Sequence, residues 1–160
     1  IGGGVTVEEK CLSRCAAAYQ YHQDGFNCAQ SVVGAFQDLL GMDEKQAMAM
    51  AGGFGGGVGG SHAELCGAVS GGVLVLGLLT PHTDSADKEG KRRIYAVAKE
   101  FRSRFEAVFG LTRCGELLKA RPGVTERNSA SACLGVTAHC DNMIVTAVEL
   151  VEQMLAEERE

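Results

Sequence analysis

Nowhere in these 160 residues do two cysteines stand as C-x-x-C, although the chain holds 7 of them. That removes the thioredoxin-type motif, the common zinc-ribbon spacing and, with no C-x-x-C-H, covalently attached haem c. No G-K-[ST] follows a glycine run, so there is no P-loop, and no H-E-x-x-H or carboxylate cluster supports a metal-dependent hydrolase. A basic excess is missing too. Lys+Arg 15 against Asp+Glu 20 gives a net charge of -5, which argues against a nucleic-acid surface. The basic residues gathered in 88–104 alternate with Glu89 and Glu100 and read as a solvated helix face. No stretch alternates with period two for long enough to make a strand, and nothing repeats at a fixed interval. The opening IGGGVTVEEK lacks a basic region followed by an apolar run, so no signal peptide is expected. The apolar stretch 65–80 is short for a membrane span and loaded with glycine, and reads as a buried core helix. A cytoplasmic protein without a membrane or nucleic-acid partner is the expectation.

What is present suits a single domain over 1–160. Hydrophobic residues are 46% and charged ones 22%, ordinary for a chain that buries a core without staples. An odd number of cysteines rules out complete internal pairing. In a reducing compartment, cysteines at functional positions more often bind metal or cycle redox states than staple a fold.

Helical spacing and capping signals run through the chain. Thr6-Val7-Glu8-Glu9 fits a capping box opening a helix to about Gln23, with Cys11 and Cys15 on one face as ordinary core. Asn27-Cys28-Ala29-Gln30 fits a second, followed by Ala29, Val33, Phe36 and Leu40 at helical spacing, with Gly41 as the stop. A short helix covers 43–51. Ser61-His62-Ala63-Glu64 fits a third box, whose helix runs to about Leu79 before Pro81. The longest helix, from Asp84 or Ser85 to Phe109, carries the stripe Ile94, Val97, Ala98, Phe101, Phe105 and Val108. Thr112 caps a short helix containing Cys114, and 123–136 reads as an irregular polar surface loop. A final helix starts near Thr137, with Met143, Ala147, Leu150 and Met154 on one side. The expected fold is an all-α, compact bundle of about six helices with a glycine-rich turn before the central helix.

That turn belongs to the stretch 52–72, GGFGGGVGGSHAELCGAVSGG. Glycine loses the most backbone freedom on folding, so such a density implies a need: left-handed backbone, close approach to a ligand, or close approach of two helices. The run 55–60 satisfies G-x-G-x-x-G, but the dinucleotide fingerprint requires a strand before it and a helix stands there instead. What survives is a flexible backbone in which Gly55, Gly56, Gly57, Gly59 and Gly60 offer N–H groups to an anion, a sulfide or a thiolate near Cys66. Gly67, Gly71 and Gly72 would let another helix come close.

Four cysteines share a position. Cys28, Cys114 and Cys140 fall within the first three residues of their helices, and Cys66 lies about a turn and a half into its own. A helix N-terminus presents unpaired N–H groups and the positive dipole end, which lower a thiol's pKa. Four such thiols could converge at one end of a bundle; the competing reading is that each is a small buried hydrophobe. Cys133 ends the polar loop as a spare thiol or a resolving partner for Cys140. His62, one turn from Cys66, and His139, beside Cys140, are candidate ligands or proton partners, or else caps and surface residues.

The pieces FNCAQSVVGAF around Cys28, GGFGGGVGG with ELCGAVSGGVLVLGL around Cys66, RCGELL around Cys114 and CDNMIVTAVELV from Cys140 occur in one order over 22–155. In this they resemble the C_GCAxxG_C_C family of small redox-active proteins. The resemblance implies a redox role. Relatives carry this module in split-Soret-type cytochromes alongside haem and an iron–sulfur cluster, which implies that the four matched cysteines act as cluster ligands; the haem-binding part is absent here. One departure is the order Cys66-Gly67-Ala68 where the family name has Gly-Cys-Ala. It keeps the Ala-x-x-Gly frame to Gly71 and shifts the cysteine by one residue, about 100° around a helix.

The expected function is therefore an electron-transfer or redox protein, a component of an oxidoreductase system. In it Cys28, Cys66, Cys114 and Cys140 either ligate an iron–sulfur cluster or include a redox-active dithiol pair. The alternatives are a structural zinc protein and a non-catalytic helical interaction module in which cysteines and glycines only pack. A redox partner is expected, and a homo-oligomer is compatible with the sequence.

Overall fold

The computed structural model describes residues 7–158 of the chain, and the regular structure among them is all helical. The helices are α1 (Val7–Gln23), α2 (Cys28–Gly34), α3 (Gln37–Leu40), α4 (Glu44–Ala51), α5 (Gly67–Leu79), α6 (Lys88–Phe109), α7 (Cys114–Ala120), α8 (Ser129–Leu134) and α9 (His139–Glu158), with a 3₁₀ turn at Gly52–Phe54. Thr6, the expected cap of α1, lies outside the described residues. No described helix is long and apolar enough to cross a membrane.

Among the described residues nine helices stand where about six were expected, for local reasons. The predicted helix through Leu40 breaks at Ala35 and Phe36, because the Arg14 guanidinium reaches across from α1 and donates to the Ala35 carbonyl at 2.9 Å. A side chain inserted into the helical ladder is a recognised cause of a break. The expected loop 123–136 contains α8, whose Ala130 and Ser131 are buried as it packs against α9. Its six residues, Ser-Ala-Ser-Ala-Cys-Leu, are too few and too polar at their start to signal a helix alone.

A third correction concerns the centre. The glycine-led helix α5 is not the one around which the rest is laid. Every residue of α9 from Asp141 to Val151 is buried, as is Glu152, and α9 packs against α1, α2, α5, α6 and α8. Buried polar groups require partners, and those on α9 have them on distant elements. Asp141 meets His22 at 2.5 Å, Asn142 donates to the Gly123 carbonyl at 3.2 Å, and Thr146 accepts from Asn128 at 2.8 Å. Glu149 accepts from Ser129 at 2.5 Å, and Glu152 pairs with Arg14 at 2.6 Å.

The third capping box does not form. The Ser61 hydroxyl donates to the Gly57 carbonyl and accepts from the Ala63 amide, a local turn that leaves no helix behind it, and α5 begins only at Gly67. Upstream, Gly56, Gly57, Val58, Gly59 and Gly60 all have φ between +61° and +71°. Five consecutive left-handed residues are very costly for anything but glycine, and this accounts for the density there. Val58 is the exception, a β-branched residue at φ +68° with its side chain exposed. Replacing it by glycine should raise the unfolding free energy by about 1 kcal/mol, the strain relieved less the added entropy of the unfolded chain. Equal or lower denaturant midpoints for Val58→Gly would show that the left-handed turn is not strained there.

Candidate functional site

Close packing of α5 on α2 brings the first two cysteines together. Gly71 faces α2 so closely that a Cβ there would stand 2.9 Å from the Ala29 carbonyl oxygen and 3.0 Å from the Val32 Cβ. One turn earlier, a Cβ on Gly67 would overlap the Cys28 sulfur. Cys28 is the first residue of α2, held by a true capping box in which Asn27 accepts from the Gln30 amide and the Gln30 side chain accepts from the Asn27 amide. Cys66 is the N-cap of α5, not a residue a turn and a half inside it.

A short ribbon fixes Cys66 to Cys114. The Cys66 amide donates to the Thr112 carbonyl at 2.8 Å and the Cys114 amide to Glu64 at 2.9 Å, on either side of the Leu65–Arg113 bridge. The Gly115 amide adds a bond to His62 at 2.9 Å, and a Cβ on Gly115 would crowd that carbonyl at 2.7 Å. Cys114 is thereby the first residue of α7, with Arg113, not Thr112, at the N-cap. Gly57 lies under it, where a Cβ would stand 2.7 Å from the Cys114 Cβ. Cys140 is the second residue of α9, whose start is tied to the end of α1 by the His22–Asp141 contact and by Gln23 donating to Asp141 at 3.1 Å.

All four thiols line one cavity of about 210 Å³, together with His22, Asn27, Gly56, His62, Ala68, Leu118 and Met143. Of the five glycines considered as backbone donors, Gly56 lines this cavity. The amides of Gly59 and Gly60 donate instead to the Gly53 and Gly55 carbonyls within the turn. His62 reaches the cavity from the loop, at φ +62°, and His139 is not among the lining residues. His22 and Asp141 had no sequence signal. They lie 119 residues apart, in a helix end and a helix start that nothing local connects.

Cys66, Cys114 and Cys140 are not acidified by their helix ends. Burial pushes Cys66 up to about 12, and Cys28 adds to this, while the amides of Ala68 and Val69 pull the other way. Cys114 is raised by burial and by Cys28, and Cys140 by burial, then Cys28, Cys114 and Asp141. Helix-end amides are present, but desolvation and mutual repulsion outweigh them. The expectation of pre-formed thiolates is thus corrected: for these three, charge in this cavity requires a positive partner. No set of three or more Cys, His, Asp or Glu among the described residues is arranged to hold a metal ion. The four cysteines line one space.

No curated protein and no solved structure matches the chain. Over residues 26–154 it matches the family model described as "Putative redox-active protein (C_GCAxxG_C_C)", a span that contains all four cavity cysteines. The chain belongs to the C_GCAxxG_C_C family.

Proposed function

We propose that the four-cysteine cavity holds an iron–sulfur cluster and that the protein carries electrons one at a time. The observation that carries this reading is the placement of Cys28, Cys66, Cys114 and Cys140, from the starts of four separate helices, around a single space. The donor set fits the group, since four thiolates are the usual ligands of iron–sulfur clusters and soft sulfur ligands select them. A cavity of about 210 Å³ suits a polynuclear group better than a single zinc ion, whose four ligands must meet at one centre.

When bound, the cluster would supply one-electron reduction and oxidation. The chain's own residues would set its surroundings. The Ala68 and Val69 amides at the start of α5 favour charge on the Cys66 sulfur, and hydrogen bonds to ligand sulfur tune a cluster's potential. Ala68, Leu118 and Met143 give the cavity apolar walls that limit water. His22, oriented by Asp141, and His62 are its titratable groups other than the thiols. The partner is then an electron donor or acceptor, and the protein one component of an oxidoreductase system.

Protein purified without oxygen should be brown, with iron and acid-labile sulfide in comparable amounts and charge-transfer absorbance that bleaches on reduction. Colourless protein with a reducible bond between two of the four cysteines would replace this reading by a dithiol mechanism. Stoichiometric zinc without colour would make the site structural.

A further inference from the structure

Three cysteines lie outside that cavity, and the structure brings them to one place. Cys133, considered a partner for Cys140, lines instead a second cavity of about 540 Å³ together with Cys11, between α1, α8 and α9. One turn along α1, Cys15 is fully buried, its thiol donating to the Val145 carbonyl oxygen at 3.6 Å, and it stands within donating reach of Cys11. Cys15 has a single S–H proton and two acceptors within reach. It can turn from the carbonyl to the Cys11 sulfur when Cys11 ionises, and this donor holds Cys11 below the usual thiol range against burial, Glu149, Glu152 and Glu8. Cys11 is half-buried and Cys133 exposed. His22, at the first cavity, is eleven residues further along α1, about 16 Å at 1.5 Å per residue, so the two sites are separate.

We propose that Cys11, Cys15 and Cys133 form a second site, for thiol–disulfide exchange with small, positively charged disulfides. The Cys11 thiolate attacks one sulfur of the disulfide RSSR, forming a Cys11–SR bond and releasing RS⁻, which takes up the proton Cys11 gave to water. Cys133 then attacks the Cys11 sulfur, loses its own proton and displaces the second RS⁻, which is protonated. Two protein thiols become one disulfide, and RSSR becomes two RSH. Cys15 serves as hydrogen-bond donor and not as the second thiol. Cβ atoms four residues apart on a helix are about 5–6 Å apart, whereas a disulfide needs about 3.5–4.5 Å, so a Cys11–Cys15 bond would distort α1. Cys133 sits on the short helix α8, which can adjust more easily. The preference for positive charge follows from the lining, which has four glutamates and neither lysine nor arginine; Glu152 and Glu157 are paired with Arg14 and Arg104, and Glu8 and Glu149 supply the negative excess.

The test uses the intact protein with either cystamine, which is cationic, or oxidised glutathione, which is anionic, followed by alkylation, trypsin and mass spectrometry. Cleavage after Lys10 and Arg14 separates Cys11 from Cys15. Cystamine should modify Cys11 on the order of tenfold faster than oxidised glutathione, through the field of the lining carboxylates, and a Cys11–Cys133 bond should follow. In Cys133→Ser, a change at an exposed position, the mixed disulfide at Cys11 should accumulate. Cys15→Ala should slow Cys11 by about tenfold and Cys15→Ser, which keeps a donor, should restore it; circular dichroism checks that both remain helical. Equal rates for the two disulfides, a Cys11 bond to any cysteine other than Cys133, or an unchanged rate in folded Cys15→Ala would each overturn the proposal.

Discussion

Replacing Arg14 by alanine should lower the unfolding free energy by about 3–5 kcal/mol, the usual cost of leaving a buried charge without its partner. The Arg14 side chain is 15% exposed and that of Glu152 on α9 is 5% exposed, with Nε and Oε1 2.6 Å apart. The same guanidinium makes a two-pronged contact with Asp38 on α3, at 2.6 and 2.9 Å, donates to the Ala35 carbonyl and lies 5.1 Å from the centre of the Phe36 ring. One side chain thus joins α1, the break between α2 and α3, and the central helix. In a chain of this size the loss corresponds to on the order of 10 °C in melting temperature. Arg14→Lys should recover only part of it, since an ammonium cannot reproduce the fork. The double variant Arg14→Met, Glu152→Gln should recover more, because the largest part of the cost is the stranded carboxylate. A loss under 1 kcal/mol in Arg14→Ala would mean that Glu152 is hydrated in solution.

Acid should narrow this difference. Hydrogen bonds from Arg14 hold the Asp38 carboxyl below its ordinary range, against some burial. With the folded value depressed, the contribution is present above the unfolded value and lost as pH falls through the folded one. The gap between wild type and Arg14→Ala, measured by urea midpoints, should therefore be full near pH 7 and shrink below about pH 4. Asp38 is largely exposed, so its share is the smaller one.

The second large effect is expected at Gly67. An alanine there improves the intrinsic helix propensity of α5 by up to about 1 kcal/mol, yet its methyl group must occupy the place of the Cys28 sulfur. Either Cys28 turns away from the cavity or α5 separates from α2, and overpacking of this kind costs about 1–3 kcal/mol. Iron retained after anaerobic purification should fall to about a tenth or less, as the loss of one of four ligands would dictate. Gly77→Ala is the matched control: it lies in the same helix, with nothing within 4 Å of the added Cβ. It should keep its iron and gain slightly in stability. If Gly67→Ala retains iron as Gly77→Ala does, Cys28 is not a ligand in the position described.

Local chemistry was readable in the sequence and distant pairing was not. The boxes at Asn27 and the helix opening at Asp43 are satisfied within three residues, so their spelling suffices. Ser61 has the same spelling, but its hydroxyl is taken by a left-handed turn whose geometry depends on the glycines before it. The four cysteines could be selected from their helix-start positions and the family pattern. That burial would raise three of them could not be read, because it depends on the walls other helices supply. Helix α9 shows the limit most clearly. Its apolar side was legible, but Asp141, Asn142, Thr146, Glu149 and Glu152 are buried too, each against a partner that only the tertiary fold provides. The same blindness hid the association of Cys11 with Cys133, and of His22 with Asp141.

The central position of α9 also sets an order of events. It follows in the chain every helix it packs against, so during synthesis at roughly 5–20 residues per second those helices emerge first and wait for the segment that covers them. Until then Arg14, Asn128 and Ser129 lack their partners on α9, and Cys28, Cys66 and Cys114 form an incomplete set that only Cys140 completes. Completion of the core and completion of the cysteine set are therefore one event, fixed by the arrival of α9.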